Sequence, residues 1–173
     1  MERRILDNIF LLIGVILIQV LICNHIAIFG VAIAFVYIYV ILRLPMNTSV
    51  NWVLTWAFLA GLIVDIFSDT PGVNALAATL IAMFRKPMLF AYIPKDDRTK
   101  NIMPSLQSLG FNVYGKYLFT ASLVYCLLAF TIEYFNFADV KEIVIMTLSS
   151  AALTFLVIIG VDSLVSSKRE KSI

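Results

Sequence analysis

Apolar residues in this chain gather into long runs instead of alternating with polar ones. Polar or turn-forming residues divide them into six runs, at about 9–23, 26–42, 50–67, 73–89, 117–135 and 140–164. A helix crosses the hydrocarbon core of a bilayer in roughly 20 residues, and the runs are judged against that length. The pattern predicts an all-α, polytopic membrane protein with six transmembrane helices, folded as a single domain over residues 1–173. The first two runs are short, and only Asn24-His25 separates them. One long tilted helix is therefore the competing reading of that region.

Basic residues choose between the two. With six spans and both termini cytoplasmic, the inner side receives Arg3, Arg4, Arg43, Arg85, Lys86, Lys95, Arg98, Lys100, Lys116, Lys168, Arg169 and Lys171. That is 12 of the 13 Lys and Arg residues, with Lys141 alone outside. Such asymmetry is the positive-inside signal. Merging the first two spans would place Arg3 and Arg4 opposite Arg43 and spoil it. Met1-Glu-Arg-Arg followed by an apolar run also resembles a signal peptide. No A-x-A-like cleavage site follows, so a retained first span is expected.

Turn residues fit the hairpins. Thr70 as N-cap with Pro71 at the first helical position predicts a sharp start to helix four. Leu44-Pro45 should end helix two, because the residue before proline is steered away from α geometry. Pro87 should kink or stop helix four. Small residues recur at helical spacing at Ala75, Ala78 and Ala82, and cluster at Ala57, Ala60 and Gly61. Stripes of this kind let membrane helices approach closely. The Ala75, Ala78, Ala82 face is thus a candidate helix-contact face, with packing its main expected purpose. In the longest loop, 92–114, Met103, Leu106 and Leu109 recur every third residue and suggest a short interfacial helix. Trp52, Trp56, Tyr92, Tyr114, Tyr117 and Tyr134 fall near span ends, where aromatic side chains anchor helices at the interface.

Composition adds the membrane class and little else. Hydrophobic residues make up 61% of the chain and charged ones 14%, against about 45–50% and 25% in soluble domains. Cys23 and Cys126 lie inside apolar runs, where a free cysteine packs as a small hydrophobe. The lone histidine, His25, sits in a tight turn. No metal or redox cluster, phosphate-binding loop or nucleic-acid-binding pattern is present, and no cofactor is expected. The carboxylates Asp65, Glu133, Asp139 and Asp162 lie in or near spans. Asp65 and Glu133 belong near the outer face and Asp162 near the inner one, so Asp65 and Asp162 make no paired-acid site. Asp162, beside the basic tail, reads as an interfacial residue. Catalysis is not expected.

Asp65 is the exception that needs a reason. It sits in the apolar run before Ser68–Gly72, and an ionised Asp facing lipid at mid-span costs about 2.5–3.5 kcal/mol on insertion scales. Two readings stay open: a wet, capping residue at the outer end of the span, or a carboxylate turned into the bundle.

The stretch Gly61-Leu-Ile-Val-Asp65-Ile-Phe-Ser-Asp-Thr-Pro71-Gly72-Val-Asn-Ala75-Leu-Ala77 resembles the best-marked segment of the rod shape-determining MreD family. Gln19-Val-Leu, Phe29-Gly30, Tyr37-Ile-Tyr-Val-Ile-Leu-Arg-Leu-Pro45 and Phe84-Arg85 leading to Leu89 resemble its Bacteroidota-type forms. Similarity covers most of the first half; from Ile93 onward only topology, length and the basic tail carry it. The chain departs from the family at Ala32–Ala34, where a proline near the start of helix two would be expected. The resemblance implies Gly61, Asp65, Pro71, Gly72 and Arg85 as the marked residues. It also implies a multi-pass subunit of the cell-elongation (rod) machinery in the inner, cytoplasmic membrane, supporting cell shape and lateral peptidoglycan synthesis. The implied partners are MreC, the MreB filament, RodA with its transpeptidase, and membrane lipid; a homo-oligomer stays open. MreD proteins are similar in fold to the substrate-binding subunits of energy-coupling-factor transporters, so a vitamin-uptake subunit is the alternative. A small solute transporter or channel is the third class.

Overall fold

The computed structural model describes residues 14–20, 32–94, 102–134 and 139–170, without the side chains of 166–170. The described residues are helical apart from short connections, and the order is α1 (14–20), α2 (Ile38–Arg43), α3 (Val50–Ser68), α4 (Val73–Tyr92), α5 (Leu106–Glu133) and α6 (Val140–Glu170). Four stretches are long and apolar enough to cross a membrane: Val50–Ser68, Val73–Tyr92, Leu106–Glu133 and Val140–Val165. The Asn24-His25 turn, Cys23, most of the first expected span and the start of the second lie outside the described residues.

The long helices pack as neighbours, α3 with α4, α4 with α5 and α5 with α6. Each turns one stripe inward. On α3 the buried positions are Val53, Ala57, Ala60, Gly61 and Val64, the three-and-four spacing of one helix face. Large side chains on the opposite side, such as Phe58, Leu62 and Ile66, stay exposed. Ala75, Ala78 and Ala82 are buried within the bundle. The small stripe of α4 is therefore a contact face, but an internal one, and is not available to an outside partner.

Several boundaries differ from expectation for physical reasons. The second span is not a continuous helix over 26–42: residues 32–37 are non-helical, and α2 covers only Ile38–Arg43 before Leu44-Pro45 ends it. Pro87 sits inside α4 without stopping it. Helix four starts at Val73 behind Gly72, in the left-handed region at φ 85°, and Thr70 supplies no cap to it. Helix five starts earlier than expected, with a turn from Leu106 capped reciprocally by Ser105 and Ser108. That turn ends at Gly110, whose φ of 71° and ψ of 162° break the helix before the long span begins. The weak 103, 106, 109 periodicity is thus a short helical turn. Tyr114 and Tyr117 are fully buried, whereas Trp52 is 61% exposed and stacks on Trp56. The two tyrosines are core residues, not interface anchors.

Candidate functional site

The α3–α4 hairpin is assembled around two residues of the Gly61–Ala77 segment. Gly61 lets the two backbones touch. A Cβ built on it would lie 2.5 Å from the Asn74 carbonyl oxygen and 2.6 Å from the Ala75 Cα. Both of those are backbone atoms that have no room to move aside. One turn further along α3, Asp65 projects across the same contact. Its Oδ1 accepts hydrogen bonds from the Asn74 backbone N–H at 2.9 Å, Asn74 Nδ2 at 3.0 Å and Thr70 Oγ1 at 3.0 Å. Its Oδ2 accepts from the Ala75 N–H at 2.8 Å. Asn74 and Ala75 belong to the first turn of α4, whose N–H groups have no partner within their own helix. Asp65 is the N-cap of a helix it does not belong to, and its negative charge meets the positive end of that helix dipole. It is buried, at 3% exposure. Of the two readings of Asp65, the inward one holds, with the capping role attached and the water removed.

Asp65 also satisfies its own helix end. Its backbone carbonyl accepts from the N–H groups of Asp69 and Thr70, and Asp69 closes α3 in the left-handed conformation at φ 57°. Pro71 and Gly72 shape the connection and are exposed.

From Asp65 the polar contacts run inward. Both Nδ2 hydrogens of Asn74 are taken, one by Asp65 and one by Thr70 Oγ1 at 3.1 Å. That sets the amide so that Oδ1 faces Tyr125, which donates to it at 2.6 Å. Having donated there, the Tyr125 hydroxyl accepts from Tyr37 at 2.5 Å. The donors therefore all point one way, Tyr37 to Tyr125 to Asn74 to Asp65, and the chain ends on a carboxylate with four bonds. Three of those bonds fall on Oδ1 and one on Oδ2, so both oxygens of Asp65 are engaged in holding the hairpin together. The site can brace; nothing in its geometry activates a nucleophile.

Arg85 does not join this site. It lies eleven residues beyond Asn74, about 16 Å along the helix, and does the opposite job at the other end of the fold. Arg85 is 1% exposed, and its guanidinium donates to the carbonyls of Ile41 at 3.2 Å, Leu44 at 2.8 Å and Pro45 at 3.0 Å. Those carbonyls lie at the C-terminal end of α2, where a cation meets the negative end of the helix dipole.

A second buried carboxylate departs from the sequence expectation. Asp162 is fully buried instead of interfacial. It accepts from Tyr39 at 2.8 Å and from the Leu106 backbone N–H, the first of α5, at 2.9 Å. Arg43 lies 3.8 Å from it and also donates to the Tyr39 hydroxyl. Each buried acid thus caps a helix from a neighbouring one. The residues that sequence reasoning misses, Asn74, Tyr37, Tyr125, Tyr39 and Arg43, are neutral or lie at helix ends. One signal is legible on α6, where Thr147, Ser150, Thr154 and Asp162 recur at helical spacing on one face of an apolar run.

The α6 hydroxyls hold residues 32–37. Ser150 Oγ accepts from the Ile33 N–H and Thr154 Oγ1 from the Phe35 N–H, both at 3.0 Å. On the other edge, the Gln19 amide donates to the Ala34 carbonyl at 2.9 Å and accepts from the Val36 N–H at 2.7 Å.

Comparison with protein-family models, with curated proteins and with solved structures finds none that this chain matches.

Proposed function

We propose that this chain is a non-enzymatic, multi-pass subunit of the bacterial cell-elongation complex in the inner membrane, with six spans and both termini cytoplasmic. In this reading it supports cell shape and lateral wall synthesis through MreC and, with it, MreB, RodA and the transpeptidase. The observation that carries the reading is the Gly61–Ala77 segment. It resembles the MreD family in sequence, and its Gly61 and Asp65 do mechanical work: one lets two backbones touch, the other caps the facing helix. A brace of this kind suits a scaffold that presents helix surfaces to other membrane proteins. Since Ala75, Ala78 and Ala82 are used internally, the contact with MreC falls on outward faces such as that of Phe58, Leu62 and Ile66 on α3.

One observation favours the alternative, a substrate-binding subunit of a vitamin transporter. Residues 32–37 are non-helical and lead directly into α2, and non-helical backbone beside helices lines substrate sites in many transporters. A single experiment separates the two: purification of the tagged chain from native membranes, with mass spectrometry of what accompanies it. Recovery of MreC supports the elongation reading. A transporter ATPase in its place, with MreC absent, supports the alternative.

A further inference from the structure

We infer that the bundle binds internal water where α2, α5 and α6 meet, seated between Tyr114, Asp162 and Arg43, while the α3–α4 contact stays dry. This stands apart from the functional reading above, since it rests on unspent hydrogen-bonding groups and the room beside them.

Three buried side-chain oxygens among the described residues have no hydrogen-bond partner, the hydroxyls of Tyr114, Ser122 and Thr147. All three lie on α5 or α6. A serine or threonine inside a helix can return its hydroxyl to the carbonyl four residues back. Thr55, Ser68 and Thr79 do so on α3 and α4, and Ser149 does so on α6. Ser122 and Thr147 do not, so this side of the bundle keeps hydroxyls with both a proton and lone pairs to spend.

Around Tyr114 the unspent groups converge. Its hydroxyl is within electrostatic reach of Asp162, Tyr39 and Arg43. The Tyr39 hydroxyl and the Leu106 N–H each take one position on the Asp162 carboxylate, which offers about four. Among the described residues the Arg43 guanidinium spends one donor, on Tyr39, and it has several more. Its Nη1 lies 3.8 Å from Asp162 Oδ1, near enough to pair in charge and beyond hydrogen-bond distance. Donors on Tyr114 and Arg43 therefore stand near acceptor positions on Asp162 that they do not reach. The two charges cancel, so a neutral molecule that both accepts and donates fits between them. A metal ion would be repelled by Arg43 and an oxyanion by Asp162. Water is the ligand of that description.

An internal water also needs room. Gly115, next to Tyr114, is buried, yet a Cβ built on it would meet nothing within 4 Å. Gly61 in the α3–α4 contact is the opposite case, with backbone atoms at 2.5, 2.6 and 2.7 Å. There Asp65, Asn74 and Thr70 are bonded to one another, and neither space nor unspent donors invite a solvent molecule.

Water-edited solid-state NMR of the full chain in liposomes reads the transfer of proton magnetisation from water to each labelled residue. Tyr114 and Gly115 should build up signal several-fold faster than Val53 and Ala82, which are buried towards the same end of the α3–α4 pair. Tyr114→Phe should lower the ratio of folded to unfolded protein about fivefold, as for one lost hydrogen bond. A hydroxyl idle in a dry interior would instead leave that ratio unchanged or raise it when removed. Build-up at Tyr114 and Gly115 no faster than at Val53 and Ala82 overturns the inference, and so does a ratio that Tyr114→Phe does not lower. Should that variant fail to fold, the wild-type build-up decides alone.

Discussion

The α3–α4 hairpin and the segment 32–37 face the same difficulty, buried backbone N–H groups that no helix of their own can satisfy, and they solve it in opposite ways. The hairpin uses one charged side chain, Asp65, which collects four donors from residues no more than ten positions away. The segment uses three neutral side chains, two of them 117 and 119 positions away. A local, charged brace holds the hairpin in one arrangement. A dispersed, neutral one makes the segment depend on residues far away in the chain.

That contrast breaks most severely at Gly61. Gly61→Val drives a Cβ into backbone atoms of Asn74 and Ala75. Unfolding in mixed micelles should show a loss of about 3 kcal/mol or more, the upper end of overpacking costs. Asp65→Leu comes next: it leaves the Asn74 and Ala75 N–H groups without acceptors, costing about 2–4 kcal/mol. Asp65→Asn should lose about half of that by the same measurement, as one acceptor oxygen remains. If the motif serves only as a brace, rod shape should follow protein level across both Asp65 variants. Shape lost in Asp65→Asn at wild-type level would instead give the carboxylate a role beyond bracing.

The segment should respond more gently. Thr154→Val removes the acceptor of the Phe35 N–H, which costs about 1–2 kcal/mol if the N–H stays stranded. The same unfolding assay should read that loss, and a loss as large as that of Asp65→Leu would show the segment to be braced as firmly as the hairpin. The link between them is tested last. Tyr125→Phe keeps the edge-on contact with Phe35, at 5.1 Å between ring centroids, and removes a hydroxyl bonded to both Asn74 and Tyr37. About 1–2 kcal/mol is expected in the same assay, as for two buried hydrogen bonds.

Legibility in the sequence follows the same division. The limits of α3 and the start of α4 are readable because Asp65, Pro71 and Gly72 punctuate an apolar run, and charge or turn chemistry acts locally. Which way Asp65 faces is not settled there, because its partners, two backbone N–H groups and Asn74, leave no mark of charge. The break at 32–37 is invisible, since Ala-Ile-Ala-Phe-Val-Tyr is as good a helix as its neighbours. What unwinds it is supplied from residues 19, 150 and 154. Asp162 misleads for a related reason. Its place beside basic residues suggests water, whereas its partners Tyr39 and Leu106 come from elsewhere in the chain.

The distance between Ile33 and Ser150 along the chain is also a distance in time. A ribosome adding about 5–20 residues per second reaches Ser150 roughly 6–23 s after Ile33. During that interval neither α6 hydroxyl exists, so the amides of Ile33 and Phe35 gain these partners only once α6 has been made.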